Sequence, residues 1–439
     1  MENKMGTERK KRKIKLFNFK KNKKKDKTKA PKNGTPELEP KEPKPTKTDD
    51  GGENKGGSKL QLVNGTRKKR RIMRFIAYGI ILAIIITLIV LNALSPTGLI
   101  EAVQNSYVAM GEGSYPISVY SSNATQYYNQ NGMQCVLNGS FFELYNNDGK
   151  LIQAVSHGMS NPNLKMSEAR YLLYDRGRYT VSVFNYSDEL YSVEFDKAIV
   201  SADIGRDGTF AVVTDSDTFQ NTVYVYDKDH KKGIDPIFKW NAANYYVTDV
   251  AVADDGESIA VTLLNSKDGS FESFVYILSF DSEAPVRSYS YSDIVSSVES
   301  CGENYMIANG FDRAYIIPWN GGEPTDLAVS GVVRHIDTDI EGNSCVVYGR
   351  EDNEQVNTVV VTDLEGKTIS RFEYNNTVTE VCISESGIAL LHGNGVELFS
   401  LKGNSLGSYA SEVKGLYVGL TDDADVLILD NTKIVKVKK

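Results

Sequence analysis

A strand–turn–strand unit recurs through most of this chain, and it limits the possible folds more than any other feature. From about residue 120 onward, an alternating apolar strand runs into a tight turn of Asp, Asn, Glu or Ser beside Gly, and a second, more apolar strand follows. Residues 247–253 lead into Asp254-Asp255-Gly256, then into 258–264 and 274–280; residues 200–204 lead into Asp207-Gly208, then into 209–214 and 222–227. Such a turn suits a hairpin because glycine tolerates positive φ and an Asp or Asn side chain bonds its own backbone. The turns fall at Asn131-Gly132, Ser167-Glu168, Asp207-Gly208, Asp255-Gly256, Gly302-Glu303, Glu341-Gly342, Ser386-Gly387 and Asp423-Ala424, between 36 and 48 positions apart. A period of roughly 40 is the length of one four-stranded propeller blade. Tyr, Val, Thr and Ile are frequent, as strands require, and helical periodicity is absent.

Eight turns imply eight units, and the last is incomplete. Residues 416–420, 426–429 and 433–437 supply three strands before the chain ends, while a spare alternating strand, residues 115–120, precedes the first full unit. The expectation is an all-β β-propeller over 115–439, with eight blades preferred and seven possible, closed by pairing of 115–120 with 433–437. Closure removes exposed sheet edges that otherwise template aggregation. Leu172, Leu173, Ala211, Val213, Ile259, Val261, Val346, Ala389 and Leu391 lie on second strands and are expected to fill the space between blades.

Ahead of the repeat stands a run without a charged side chain that opens at Phe75 and closes at Leu94. At about 1.5 Å per helical residue, 20 residues span roughly 30 Å, the hydrocarbon thickness of a bilayer. A secretion signal's apolar core is shorter, about 7–15 residues, and Pro96 disfavours cleavage after Ala93-Leu94-Ser95. A transmembrane helix over 73–95 is therefore expected. Residues 1–74 hold 26 basic and 9 acidic residues, net +17, whereas the remainder holds 24 basic and 48 acidic, net −24. Arg67, Lys68, Lys69, Arg70, Arg71 and Arg74 abut the run, and no basic residue follows it until Lys150. Basic residues stay cytoplasmic, so this asymmetry puts the N-terminus inside and the large domain outside, in a single-pass membrane protein.

Residues 1–72 are rich in Lys, Pro, Gly and Asn and too poor in apolar side chains to offset chain entropy, so a disordered cytoplasmic tail is expected. Its basic groups are suited to anionic inner-leaflet lipid, at roughly 1 kcal/mol per residue near the surface, with Phe17 and Phe19 able to dip in. Nucleic acid is not an expected partner, because no reading motif accompanies the charge. Residues 96–114 read as a juxtamembrane linker with a short helix, in which Leu99, Val103 and Tyr107 are spaced i, i+4, i+8.

No chemistry-bearing motif stands out. Cys135, Cys301, Cys345 and Cys382 lie singly in apolar strands and lack C-x-x-C spacing, which fits buried thiols. His157, His230, His335 and His392 show no metal spacing, and His392 reads as a satisfied structural residue. Nucleophile elbows, zinc helices and phosphate loops are missing, and no cofactor is expected. The paired acids Asp254-Asp255 and Asp422-Asp423 are explained by their place in the turns. Two tryptophans, Trp240 and Trp319, are too few for the blade-docking pattern of quinone-binding propellers.

Several segments resemble a family of unknown function, clostridial-type single-pass membrane proteins with a propeller-like outer domain related to WD-repeat and quinoprotein-like folds. They are residues 111–117 (GEGSYPI), Asn161-Pro162 through Lys165, residues 170–177 (RYLLYDRG) and 211–215 (AVVTD). The resemblance spans about 73–439 and implies fold and location but no activity. The leading functional expectation is an extracytoplasmic binding or scaffold module for an envelope protein, peptide or glycan, with the net negative charge favouring basic partners. Tyr127, Tyr128, Tyr245, Tyr246, Tyr289 and Tyr291 are its candidate binding-face residues. The alternative is a propeller-type hydrolase or lyase, which needs channel-facing carboxylates that converge.

Overall fold

The computed structural model describes residues 59–229, 235–267, 269–327, 331–393 and 395–437. Helix α1 spans Lys59–Leu94, and its Arg71–Ala93 stretch is long and apolar enough to cross a bilayer, with none of it buried. The helix starts before the apolar run, inside the segment expected to be tail; Lys69, Arg71 and Arg74 are exposed. Residues 1–58, His230 and the side chains of Arg67, Lys68, Arg70 and Leu94 lie outside the described residues. After a short connection, α2 covers Leu99–Ala109.

All remaining described elements are strands, arranged as eight four-stranded antiparallel sheets. Each sheet is one blade, and the eight-unit expectation holds over the seven-unit one. The innermost strands, from blade 1 to blade 8, are Ala124–Gln130, Pro162–Met166, Ile199–Ile204, Tyr246–Val252, Val295–Cys301, Val332–Thr338, Glu380–Ser384 and Tyr417–Leu420. Each of the eight turns read from the sequence joins an inner strand to the second strand of its blade. The turn chemistry explains why: Gly132, Gly208, Gly256 and Gly342 all take positive φ there. In blade 8 the same bend falls on Ala424, a non-glycine residue at φ 60.

The core is distributed between blades. Among the described residues there are eight buried apolar clusters, one at each junction of neighbouring blades, including the junction of blade 8 with blade 1. The nine second-strand residues expected to fill it are fully or almost fully buried. Aromatic rings fill the wider junctions; Phe142 of blade 1 lies 4.9 Å from Tyr171 of blade 2, and Tyr191 of blade 2 lies 5.5 Å from Phe210 of blade 3.

Ring closure follows the expected pairing over a shorter strand. Ile117 pairs with Ile434 and Ser118 with Lys433, so the strand Ile117–Ser118 becomes the outer strand of blade 8. The Val119 N–H then donates to Thr432 O (3.0 Å), and the Tyr120 N–H donates to the buried Glu143 carboxylate of blade 1 (3.0 Å). The four cysteines are buried free thiols.

Two stability changes follow. Ile434 is fully buried at the closing junction, so Ile434→Ala should cost about 2–5 kcal/mol. The measurement is the urea midpoint at unchanged m-value, and a midpoint equal to the parent's would remove the closing strand from the stability of the ring. Ala424→Gly relieves a left-handed alanine and should gain roughly 0.5–1 kcal/mol in the same titration.

Candidate functional site

The inner strands surround a central channel, and a polar layer runs round it. Five of them, in blades 1, 3, 4, 5 and 6, carry a register shift near their first residues. Such bulges re-aim the side chains that follow. Lys165 on blade 2, Asp203 on blade 3, Asp249 on blade 4, Glu299 on blade 5, Asp337 on blade 6 and Glu380 on blade 7 all belong to inner strands. All but Asp249 line one of two adjoining chambers that share Tyr128, Gln130 and Glu299: one of about 90 Å³ around Lys165, Asp203 and Glu299, and one of about 230 Å³ around Asp337, Glu380, Tyr127 and Tyr417.

Three of these groups, with Gln126 of blade 1, stitch one blade to the next. Gln126 Oε1 accepts the Leu164 N–H (2.7 Å), Asp203 the Val252 N–H (2.9 Å), Asp249 the Val298 N–H (3.2 Å) and Asp337 the Ile383 N–H (2.8 Å). Each acceptor satisfies a backbone donor at the inner edge of the neighbouring sheet, which would otherwise be a costly orphan. Asn129 Nδ2 donates to Leu420 O (2.6 Å) across the closing junction. Gln130 Nε2 reaches from blade 1 to Thr338 O of blade 6 (3.3 Å), bridging the channel itself.

The layer has more acids than bases. Burial opposes the charge on Lys165, but Asp203 and Asp249 outweigh it and hold the ammonium protonated. Burial pushes Asp203 up to about 7 in spite of Lys165, and Glu380 up to about 7. It also raises Glu299, and lifts Asp337 well above the carboxylate range. Asp254, in the first turn of blade 4, is raised to about 6 by burial against the pull of Arg206. Burial keeps His335, 3.8 Å from Glu380, below the usual histidine value. No group of three or more His, Cys, Asp or Glu among the described residues is arranged to hold a metal ion.

The six candidate tyrosines are not brought together. Tyr127 and Tyr128 line the channel, bonded to Gln134 and to Leu164 O. Tyr245 packs edge-on against Phe274, whereas its neighbour Tyr246 is exposed. Tyr289 and Tyr291 lie on the outer strand of blade 4; Tyr289 donates to Gly322 O and Tyr291 packs 4.3 Å from Tyr315. His392 is not the satisfied residue expected, because its buried Nε2 has no partner.

The six channel groups were missed because each is one charge in an otherwise apolar strand. The available signal was recurrence: a charged residue shortly before the turn in six consecutive units.

The two ends of the ring differ in chemistry. The end bearing the first-hairpin turns carries Glu168, Asp207, Asp254, Asp255, Glu303, Asp339, Glu341, Asp422 and Asp423. Two cations there, Arg170 and Arg206, are paired with Glu101 and Glu168. The opposite end, formed by second-hairpin turns and inter-blade loops, exposes Tyr179, Phe219, Tyr246, Phe271, Ile294 and Phe311 on blades 2 to 5.

Eight radial four-stranded sheets around a channel define a β-propeller. Its likeness to solved propellers is one of fold alone: yeast (Saccharomyces cerevisiae) Sqt1 is 11% identical, with 75% of this chain and 100% of that chain covered at a TM-score of 0.53. BamB from Moraxella catarrhalis is 12% identical, with 74% and 100% covered at 0.46. Residues 111–438 match the family of unknown function DUF5711, and the chain belongs to it. The match starts after α1 and α2 and takes in the propeller. No curated protein matches the chain.

The pH dependence of folding reports on the channel layer. Asp203, Glu380 and Asp254 have raised folded-state values, above unfolded values of roughly 4. The folded state therefore holds more protons between about pH 4 and 7, and this contribution to stability is lost as pH rises through that window. The domain should melt higher at pH 5 than at pH 8. Glu380→Gln should raise the melting temperature at pH 8, leave it nearly unchanged at pH 5 and flatten the profile; a variant that keeps the parent's full slope would exclude Glu380 as a source.

Proposed function

We propose that this protein is a membrane-anchored binding module that presents the end of its propeller remote from α2 to an extracytoplasmic protein, peptide or glycan. The observation that carries this reading is the arc of exposed aromatic side chains on consecutive blades. Tyr246, Phe271 and Phe311 are 60%, 53% and 66% exposed, and the Phe311 N–H bonds Ile294 O at the neighbouring loop. Large apolar side chains exposed together on one end of a domain are characteristic of interaction sites, and aromatic rings supply contact area at low entropic cost. Blade 4 extends the arc, because its second and third strands, Ser258–Lys267 and Ser270–Ser279, are the longest among the described strands and carry Phe271 at their tip. The anchor in this reading is the apolar stretch Arg71–Ala93, oriented by the basic residues before it. The basic tail would lie on anionic inner-leaflet lipid.

The alternative, a hydrolase or lyase working in the channel, has less support. Asp203, Asp249 and Asp337 are engaged with backbone donors of the next blade, which gives them a structural use. Glu299 and Glu380 are the channel acids for which the described residues show no such backbone donor from a neighbouring blade.

A photoreactive side chain placed at Phe271 or Phe311 in intact cells should give discrete adducts, and the same group at Lys402 on the opposite end should not. Adducts confined to Lys402, or a C-terminal tag that resists protease added outside the cells, would overturn the reading.

A further inference from the structure

Helix α2 is amphipathic in the reverse sense from a helix that packs on a soluble domain. Its polar side faces the propeller. Glu101 accepts from Arg170 Nε (2.8 Å) and Nη2 (2.6 Å). Asn105, only 4% exposed, donates to Ala169 O and accepts the Tyr186 N–H. Lys150 Nζ donates to Val108 O (2.9 Å) and Lys228 Nζ to Pro96 O (3.1 Å), so turns of blades 1, 2 and 3 all grip this segment. The apolar side points away. Ile100, Val103, Tyr107 and Met110, which fall on one side at helical spacing, are 85%, 59%, 77% and 67% exposed. A helix on a soluble domain turns its apolar stripe to the core, so this stripe lacks a cover within the chain's described residues. The spacing of Val103 and Tyr107 was legible in the sequence; the direction in which they point was not.

We infer that α2 is an interfacial helix whose outward side beds in the lipid surface next to α1, clamping the propeller with its first-hairpin end toward the membrane. The inference rests on the anchor reading proposed above. Its support is position. The membrane-length stretch ends at Ala93, and α2 begins at Leu99. The Leu99 N–H donates to Asn92 Oδ1 (3.1 Å), which ties the first turn of α2 to the end of α1. A helix pinned there starts in the headgroup layer, which is roughly 5–7 Å thick on each side of the hydrocarbon. Apolar side chains and a tyrosine on its free side are suited to that boundary. Charge is not the attraction: α2 carries no basic residue, and Asp148, Asp188 and Asp422 lie on the turns around it. Attachment by apolar burial is therefore insensitive to salt and gains nothing from anionic lipid.

The test uses the full chain in phosphatidylcholine vesicles. The four native cysteines are buried, so a new surface cysteine accepts an environment-sensitive fluorophore selectively. Labels at Val103→Cys and Tyr107→Cys should emit to the blue of a label at Phe311→Cys, lose emission to lipids spin-labelled near the headgroup, and resist aqueous iodide. Replacing a third of the lipid with phosphatidylglycerol, or adding salt, should leave this unchanged. A label at Ile86→Cys reads the anchor separately, by quenching from spin labels deep in the acyl chains. Iodide quenching at Val103→Cys with deep quenching intact at Ile86→Cys overturns the interfacial helix and leaves the anchor standing. Loss of deep quenching at Ile86→Cys overturns the anchor reading and the inference with it. Shielding of Val103→Cys from both quenchers, with energy transfer between differently labelled chains, assigns the stripe to a second copy and also overturns the inference.

Discussion

The burial of apolar surface between blades, and the need for every blade to have two neighbours, governs this structure. A four-stranded sheet has two apolar faces and cannot hide either alone. Seven junctions form as the chain proceeds in order, but the eighth requires residues separated by almost the whole domain. Ile117 and Ile434 make that join, with Leu427, Leu429 and Val136 packed around them. Without it two blade faces would be wet and two sheet edges open. The completed ring instead encloses a core that no single blade contains.

The polar channel is a consequence of that ring. Inner strands crowd at the axis with one edge unpaired, and their N–H groups need acceptors. Asp203, Asp249, Asp337 and Gln126 provide them from the adjacent blade. Burying carboxylates at the axis raises the cost of ionising them, and one half-buried lysine, Lys165, offsets part of it for Asp203 and Glu299. Asp203 and Asp337, which hold neighbouring blades together, therefore also tie stability to pH. Chemistry in the channel would have to use the groups left over, of which Glu380 is the clearest.

The two ends of the ring have diverged. Turn-forming Asp and Glu residues collect at one end because every first hairpin opens there, and this end also holds α2. The other end, formed by second-hairpin turns and inter-blade loops, exposes aromatic rings instead. Arg170 sits at the join, bonded to Glu101 of α2 and to Lys228 O of blade 3, so α2 is continuous with the blade framework.

Much of this was legible in one dimension. Turn chemistry and a period near 40 specify hairpins and their number, because the requirement for positive φ is local and Asp, Asn and Gly meet it. Even the closing strand could be deduced, since an unpaired strand before the first unit matches a missing one in the last. Local chemistry also marks the apolar run that opens at Phe75. Relations that depend on which side of a strand or helix meets which neighbour were decided only on folding. Isolated charges on the inner strands of six blades converge on a common channel, six tyrosines that look alike in sequence disperse among channel, junction and surface, and α2 turns its apolar side outward while Arg170 holds Glu101 on the other. Spacing along a chain encodes the periodicity of an element, whereas the direction of a side chain toward a partner is set by residues tens to hundreds of positions away.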